Sequence, residues 1–97
     1  MTLSIEWTKE AEITYSSIIL AIGNRWTPRE IENFIARTEQ VVHLIQKNPL
    51  LYPNSKSVGI HRAVIASQTS LYYQVLENKV VLLSFEDNRQ HPDKVNH

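Results

Sequence analysis

Six side chains in the second half of the chain have the means to do chemistry: Lys56, His61, Arg62, Tyr72, Arg89 and His91. An imidazole titrates near neutral pH and can move protons in either direction. A guanidinium grips phosphate or carboxylate with two parallel hydrogen bonds. Together these groups meet the needs of RNA cleavage by internal transfer. That reaction requires a base for the 2′-hydroxyl, an acid for the leaving 5′-oxygen and cations for the charge growing on phosphorus. His61 or His91 can supply the proton transfers, and Arg62 and Arg89 the clamp. The same residues also make an ordinary surface, with Arg89 paired to Glu86 or Asp87, and spacing alone favours that plainer reading. Tyr72 and Tyr73 are strand neighbours and must face opposite ways. One is expected in the core, the other on an open face, where it can stack on a base or pack on a partner peptide.

Other chemistries are excluded by what is missing. There is no Gly-rich phosphate loop, no Gly-x-Ser-x-Gly elbow, no His-Glu-x-x-His and no calcium loop. The four histidines are not spaced to share a metal, so neither metal nor other cofactor is expected. Without cysteine there is no disulfide scaffold, zinc ribbon or thiol nucleophile, which fits a reducing cytoplasm.

The elements that must position these residues can be read along the chain. Residues 2–7 alternate, with Leu3, Ile5 and Trp7 on one side, as a short half-buried strand does. Thr8 offers an N-cap oxygen, and Ala11, Tyr15, Ile18 and Ile22 form a helical stripe that stops at Gly23-Asn24. Thr27-Pro28-Arg29-Glu30 is a capping box with proline at the first helical position. The helix it starts carries Ile31, Phe34, Ile35, Thr38, Val42 and Ile45 and ends before Pro49. Trp26, in the link between the helices, is placed either as a hydrophobic staple or exposed. Residues 48–59 read as a loop. Ile60 to Ala66, Leu71 to Leu76 and Lys79 to Phe85 read as a meander of strands, the last of them central because residues 80–83 are apolar on both faces. The expected fold is α+β, in the order β-α-α-β-β-β. A helical hairpin packs on one face of a small, mainly antiparallel sheet.

The chain has 97 residues, which is one domain, 1–97, large enough to hold a core. No apolar run approaches the roughly 20 residues of a membrane span, so no membrane association is expected. The net charge is zero. It is distributed unevenly, however: residues 1–40 carry four basic and six acidic side chains, residues 41–97 six and four. From Lys47 to Arg62 there is no acid, which places any anion site in the second half.

Four features in this order resemble the RelE/ParE superfamily of bacterial type II toxin–antitoxin toxins, over nearly the whole chain. They are the opening strand ending Ile5-Glu6-Trp7-Thr8 and running into a helix with Ala11; the second helix ending Ile45-Gln46-Lys47-Asn48-Pro49; the strand Ile60-His61-Arg62 followed by Leu71-Tyr72-Tyr73-Gln74-Val75; and the closing strand and tail from Val81 to Pro92. The Asp87-Asn88-Arg89-Gln90-x-Pro92 ending is similar to that of plasmid-stabilisation-type members. The resemblance implies a growth inhibitor silenced by a cognate antitoxin, whose acidic, apolar segment crosses the sheet and the helical hairpin. RelE-like members are metal-independent, ribosome-dependent mRNA endonucleases; ParE-like members poison DNA gyrase. Lys56, Arg62, Arg89 and His91 are the nearest matches to the nuclease residues. Zero net charge and the lack of any tyrosine after Tyr73 depart from the nuclease pattern and favour a ParE-like toxin. In that case Lys56, Arg62, Arg89 and Tyr72 bind the target, and His61 and His91 have no catalytic part. The alternatives implied are the ribosome-dependent mRNA nuclease and an inactive antitoxin-binding module.

Overall fold

The computed structural model describes residues 3–56 and 58–88, without the side chain of Ile22. The elements run β1 (Ser4–Trp7), α1 (Lys9–Gly23), α2 (Pro28–Lys47), β2 (Ile60–Ala66), β3 (Thr69–Leu76) and β4 (Lys79–Asp87). This is the expected order. The strands form one sheet, β1-β4-β3-β2, with an antiparallel meander and β1 added in parallel to β4. β4 is therefore a central strand, as its two apolar faces required.

Local signals fix the helix ends. Thr8 caps α1 by accepting from the Ala11 N–H at 3.0 Å. At α2 the capping box closes in both directions. The Glu30 N–H donates to Thr27 Oγ1 at 3.2 Å, and the Thr27 N–H donates to Glu30 Oε1 at 2.8 Å. Asn48 ends the helix one residue before Pro49. Trp26 turns inward, its ring centroid 5.3 Å from that of Phe34.

The core lies between the hairpin and one face of the sheet. Ala11 and Ile18 of α1, Phe34, Val41 and Ile45 of α2, and Ala63, Ile65, Leu71, Tyr73, Val80, Leu82 and Phe85 of the strands are all buried. The buried stripe of α2 is Phe34, Thr38, Val41 and Ile45. Ile35, expected on it, is exposed, and Val41 takes the inward position. The Thr38 hydroxyl is paid for locally: it donates to the Phe34 carbonyl at 3.0 Å, so a polar residue can occupy the centre of the stripe.

One irregularity decides what reaches the open face. Tyr72 pairs with Ser84 and Tyr73 with Leu82, so Leu83 is an extra residue in β4. This bulge resets the alternation. Val80 and Leu82 before it, and Phe85 and Asp87 after it, all lie on the helix side. Ser84 and Glu86 turn to the open side. Two α1 threonines satisfy the disturbed backbone. The Thr8 hydroxyl lies 2.8 Å from the Leu82 carbonyl and 3.1 Å from that of Leu83, and the Phe85 N–H donates to Thr14 Oγ1 at 2.9 Å.

Candidate functional site on the open face

The side of the sheet away from the helices carries a ladder of polar groups in register. Arg62 of β2 lies opposite Tyr72 of β3, which lies opposite Ser84 of β4; Ser70 lies opposite Glu86. Arg62 Nε donates to Ser70 Oγ at 2.9 Å, and the Arg62 charge lies near enough to the Tyr72 hydroxyl to favour its ionised form. That hydroxyl donates to Glu86 Oε1 at 3.2 Å. Cation, phenol and carboxylate thus lie on one face across three strands. The Tyr72 phenol is pushed above its usual range, chiefly by burial, then by the neighbouring Glu86 charge; Arg62 acts in the opposite direction.

Arg62, Tyr72, Ser84 and Glu86 form the floor of an open groove of about 990 Å³, walled by the loop from Tyr52 to Lys56 and by Ile60, Val64 and Leu83. The loop is held in place along the outer edge of β2. The Arg62 N–H donates to the Pro53 carbonyl at 3.1 Å, and the Ser55 N–H to the Ile60 carbonyl at 2.7 Å. Gly59, at φ +87°, allows the chain to turn from loop to strand. From beneath, the Tyr73 hydroxyl donates to the Pro49 carbonyl at 2.7 Å. His61 Nδ1 lies 2.8 Å from the Tyr52 carbonyl; because a carbonyl only accepts, the proton is on Nδ1.

The expected site residues therefore separate. Lys56, Arg62 and Tyr72 meet at this groove. His61 does not join them. It faces the helix side, 9% exposed, with its ring stacked on Tyr73 at 5.1 Å, and it anchors the loop instead of facing a ligand. The expected pairing of Arg89 with Glu86 or Asp87 cannot be followed, because Arg89 and His91 lie outside the described residues. Of the two acids, Glu86 receives the Tyr72 hydroxyl, and Asp87 is buried and receives the Thr69 hydroxyl. Ser70 and Glu86 were not among the expected site residues. Ser70 could have been found from its pairing position beside Arg62, but Glu86 reaches the open face only because of the bulge. Among the described residues no group of three His, Asp or Glu side chains is placed to hold a metal ion. No helix among them is long and apolar enough to cross a membrane.

Solved structures place this architecture. A structure of the chromosomal ParDE toxin–antitoxin system of Pseudomonas aeruginosa matches over 89% of this chain and 96% of its own, with TM-score 0.73 and 15% identity. The toxin–antitoxin complex RelBE2 of Mycobacterium tuberculosis matches over 90% and 99%, with TM-score 0.61 and 16% identity. The chain has the RelE/ParE toxin fold. The YoeB dimer of Staphylococcus aureus shows it too, over 89% and 97%, with TM-score 0.63 and 16% identity. No protein-family model and no curated protein matches the sequence. In this chain the groove is lined by two cations, Lys56 and Arg62, and one carboxylate, Glu86.

Proposed function

We propose that this chain is the toxin of a type II toxin–antitoxin module and that it is ParE-like, acting on a protein target, DNA gyrase, and not by cutting RNA. The observation that carries the second part is the orientation of His61. Its ring is stacked under the sheet and its Nδ1 is committed to the Tyr52 carbonyl, which leaves no imidazole on the open face among the described residues. The phenol that remains there is raised above its usual range and donates to Glu86, which makes it a poor base near neutral pH. The zero net charge points the same way, since polyanion-directed domains draw on a basic excess.

The antitoxin reading is supported by two neighbours, described as a toxin–antitoxin system and a toxin–antitoxin complex, and by apolar side chains the core does not use. Ile13 and Leu20 on α1, Leu44 on α2 and Leu50 and Val58 in the loop are exposed, Val58 at 96%. A partner segment that covers them would bury area the isolated chain leaves in water.

Purified gyrase tests this reading directly. The chain is expected to inhibit supercoiling and accumulate cleaved DNA, with Arg62→Ala reducing the effect at least tenfold. Under the same conditions, mRNA on programmed ribosomes is expected to stay intact. New mRNA ends, with supercoiling unaffected, would reverse the assignment.

A further inference from the structure

A groove with two cations and an aromatic side chain is, by composition, an anion site. Its hydrogen bonds say otherwise. Arg62 is engaged by Ser70 Oγ at 2.9 Å, and its charge lies near the Tyr72 hydroxyl. The hydroxyl donates to Glu86 at 3.2 Å. The Glu86 carboxylate shares this open face two strands away from Arg62, so a phosphate seated along the groove would have a like charge beside it. The bulge at Leu83 is what brings this carboxylate to the open side.

We propose that Glu86 sets the specificity of the groove: its charge, held on the open face by the Tyr72 hydroxyl, excludes polyanions, the phosphate backbone of RNA included. The ligand the groove admits is a protein segment with a cationic or amide group for Glu86 and apolar side chains for Ile60, Val64 and Leu83. This inference rests on the protein-directed reading above and names the residue that enforces it.

The test measures binding of a fluorescent single-stranded RNA oligonucleotide to the full chain, by anisotropy, at two salt concentrations. The wild-type chain is expected to bind weakly, in the range of roughly 100 µM. Glu86→Gln keeps an oxygen for the Tyr72 hydroxyl and removes only the charge. It is expected to tighten binding about tenfold, the equivalent of freeing one charge-assisted contact. Its salt dependence should steepen by about 0.7 in slope, as one more phosphate contact requires on a single strand. Adding Arg62→Ala should abolish both changes. Glu12→Gln, the same charge change at an exposed site on α1, should leave binding as in the wild type. Three results would each overturn the proposal: no gain in Glu86→Gln, a gain that survives loss of Arg62, or an equal gain in Glu12→Gln. Tight wild-type binding would also overturn it, since the groove would then not exclude a polyanion. The protein-directed reading is judged separately, by the gyrase assay above.

Discussion

The two faces of this sheet are built from alternate residues of the same three strands, and they obey different rules. On the helix side, Tyr73, Leu71, Leu82 and Phe85 are fully or almost fully buried. Of the polar groups there, His61, Thr38 and the Tyr73 hydroxyl are each held by a backbone carbonyl, and Asp87 receives the Thr69 hydroxyl. On the open side, Arg62 bonds to Ser70 and Tyr72 to Glu86, and all but Ser70 remain in reach of solvent. Neighbours in sequence fall on opposite faces: His61 with Arg62, and Tyr73 with Tyr72. The comparison teaches that a residue's type proposes a chemistry, but its parity in the strand decides whether that chemistry meets a ligand.

The largest expected effect lies on the helix side. Leu82→Ala should lower unfolding free energy by about 2–5 kcal/mol through lost burial and a residual cavity. Arg62→Ala should change it by less than about 1 kcal/mol. Urea denaturation of both variants checks the contrast, and similar losses from the two would erase it.

Next come the residues that tie the faces together. Thr14→Val removes the acceptor for the Phe85 N–H and should cost about 1–3 kcal/mol. It should also loosen the bulge, so amide hydrogen exchange should quicken at residues 83–86 more than in β2. Uniform quickening would mean that the bulge has no separate support.

Alkaline pH distinguishes the two tyrosines. Burial pushes the Tyr73 phenol from 10.0 up to about 12, so the fold favours its neutral form. Its contribution is complete below pH 10 and is lost as pH rises from 10 through 12. Stability should fall across that window, and Tyr73→Phe should flatten the fall. Tyr72 is also raised, but it is only partly buried, so Tyr72→Phe should flatten it less. The reverse ranking would mean that the open-face phenol is the more deeply desolvated of the two.

A smaller effect belongs to His61. His61→Phe keeps the stack on Tyr73 and gives up one hydrogen bond to the loop, which should cost about 1 kcal/mol. Proteolysis between Pro53 and Gly59 should quicken while the core stays folded.

Much of this was legible in the sequence because its signals are local. The Thr27 capping box, the proline stop at residue 49 and the alternation around Tyr72 and Tyr73 each depend on a few adjacent residues, and the structure follows them. Lys56, Arg62 and Tyr72 could be gathered because a meander brings its first two strands, and the loop before them, side by side. What escaped depends on distant partners. The Leu83 bulge is stabilised by Thr8 and Thr14, some seventy residues away, and no local pattern marks it. It carries Glu86 to the open face, so Glu86 could not be placed from the sequence. His61 has the type of a catalytic residue, but register with Tyr73 and the Tyr52 carbonyl makes it an anchor.

The central claim is that the open face serves a protein target of DNA replication. Its most direct test is brief induction of the chain in bacteria without antitoxin, with DNA and protein synthesis labelled separately over the first minutes. The account predicts that DNA synthesis falls first while translation continues, and that Arg62→Ala delays the fall. Translation stopping first, with new mRNA ends and DNA synthesis initially intact, would contradict it.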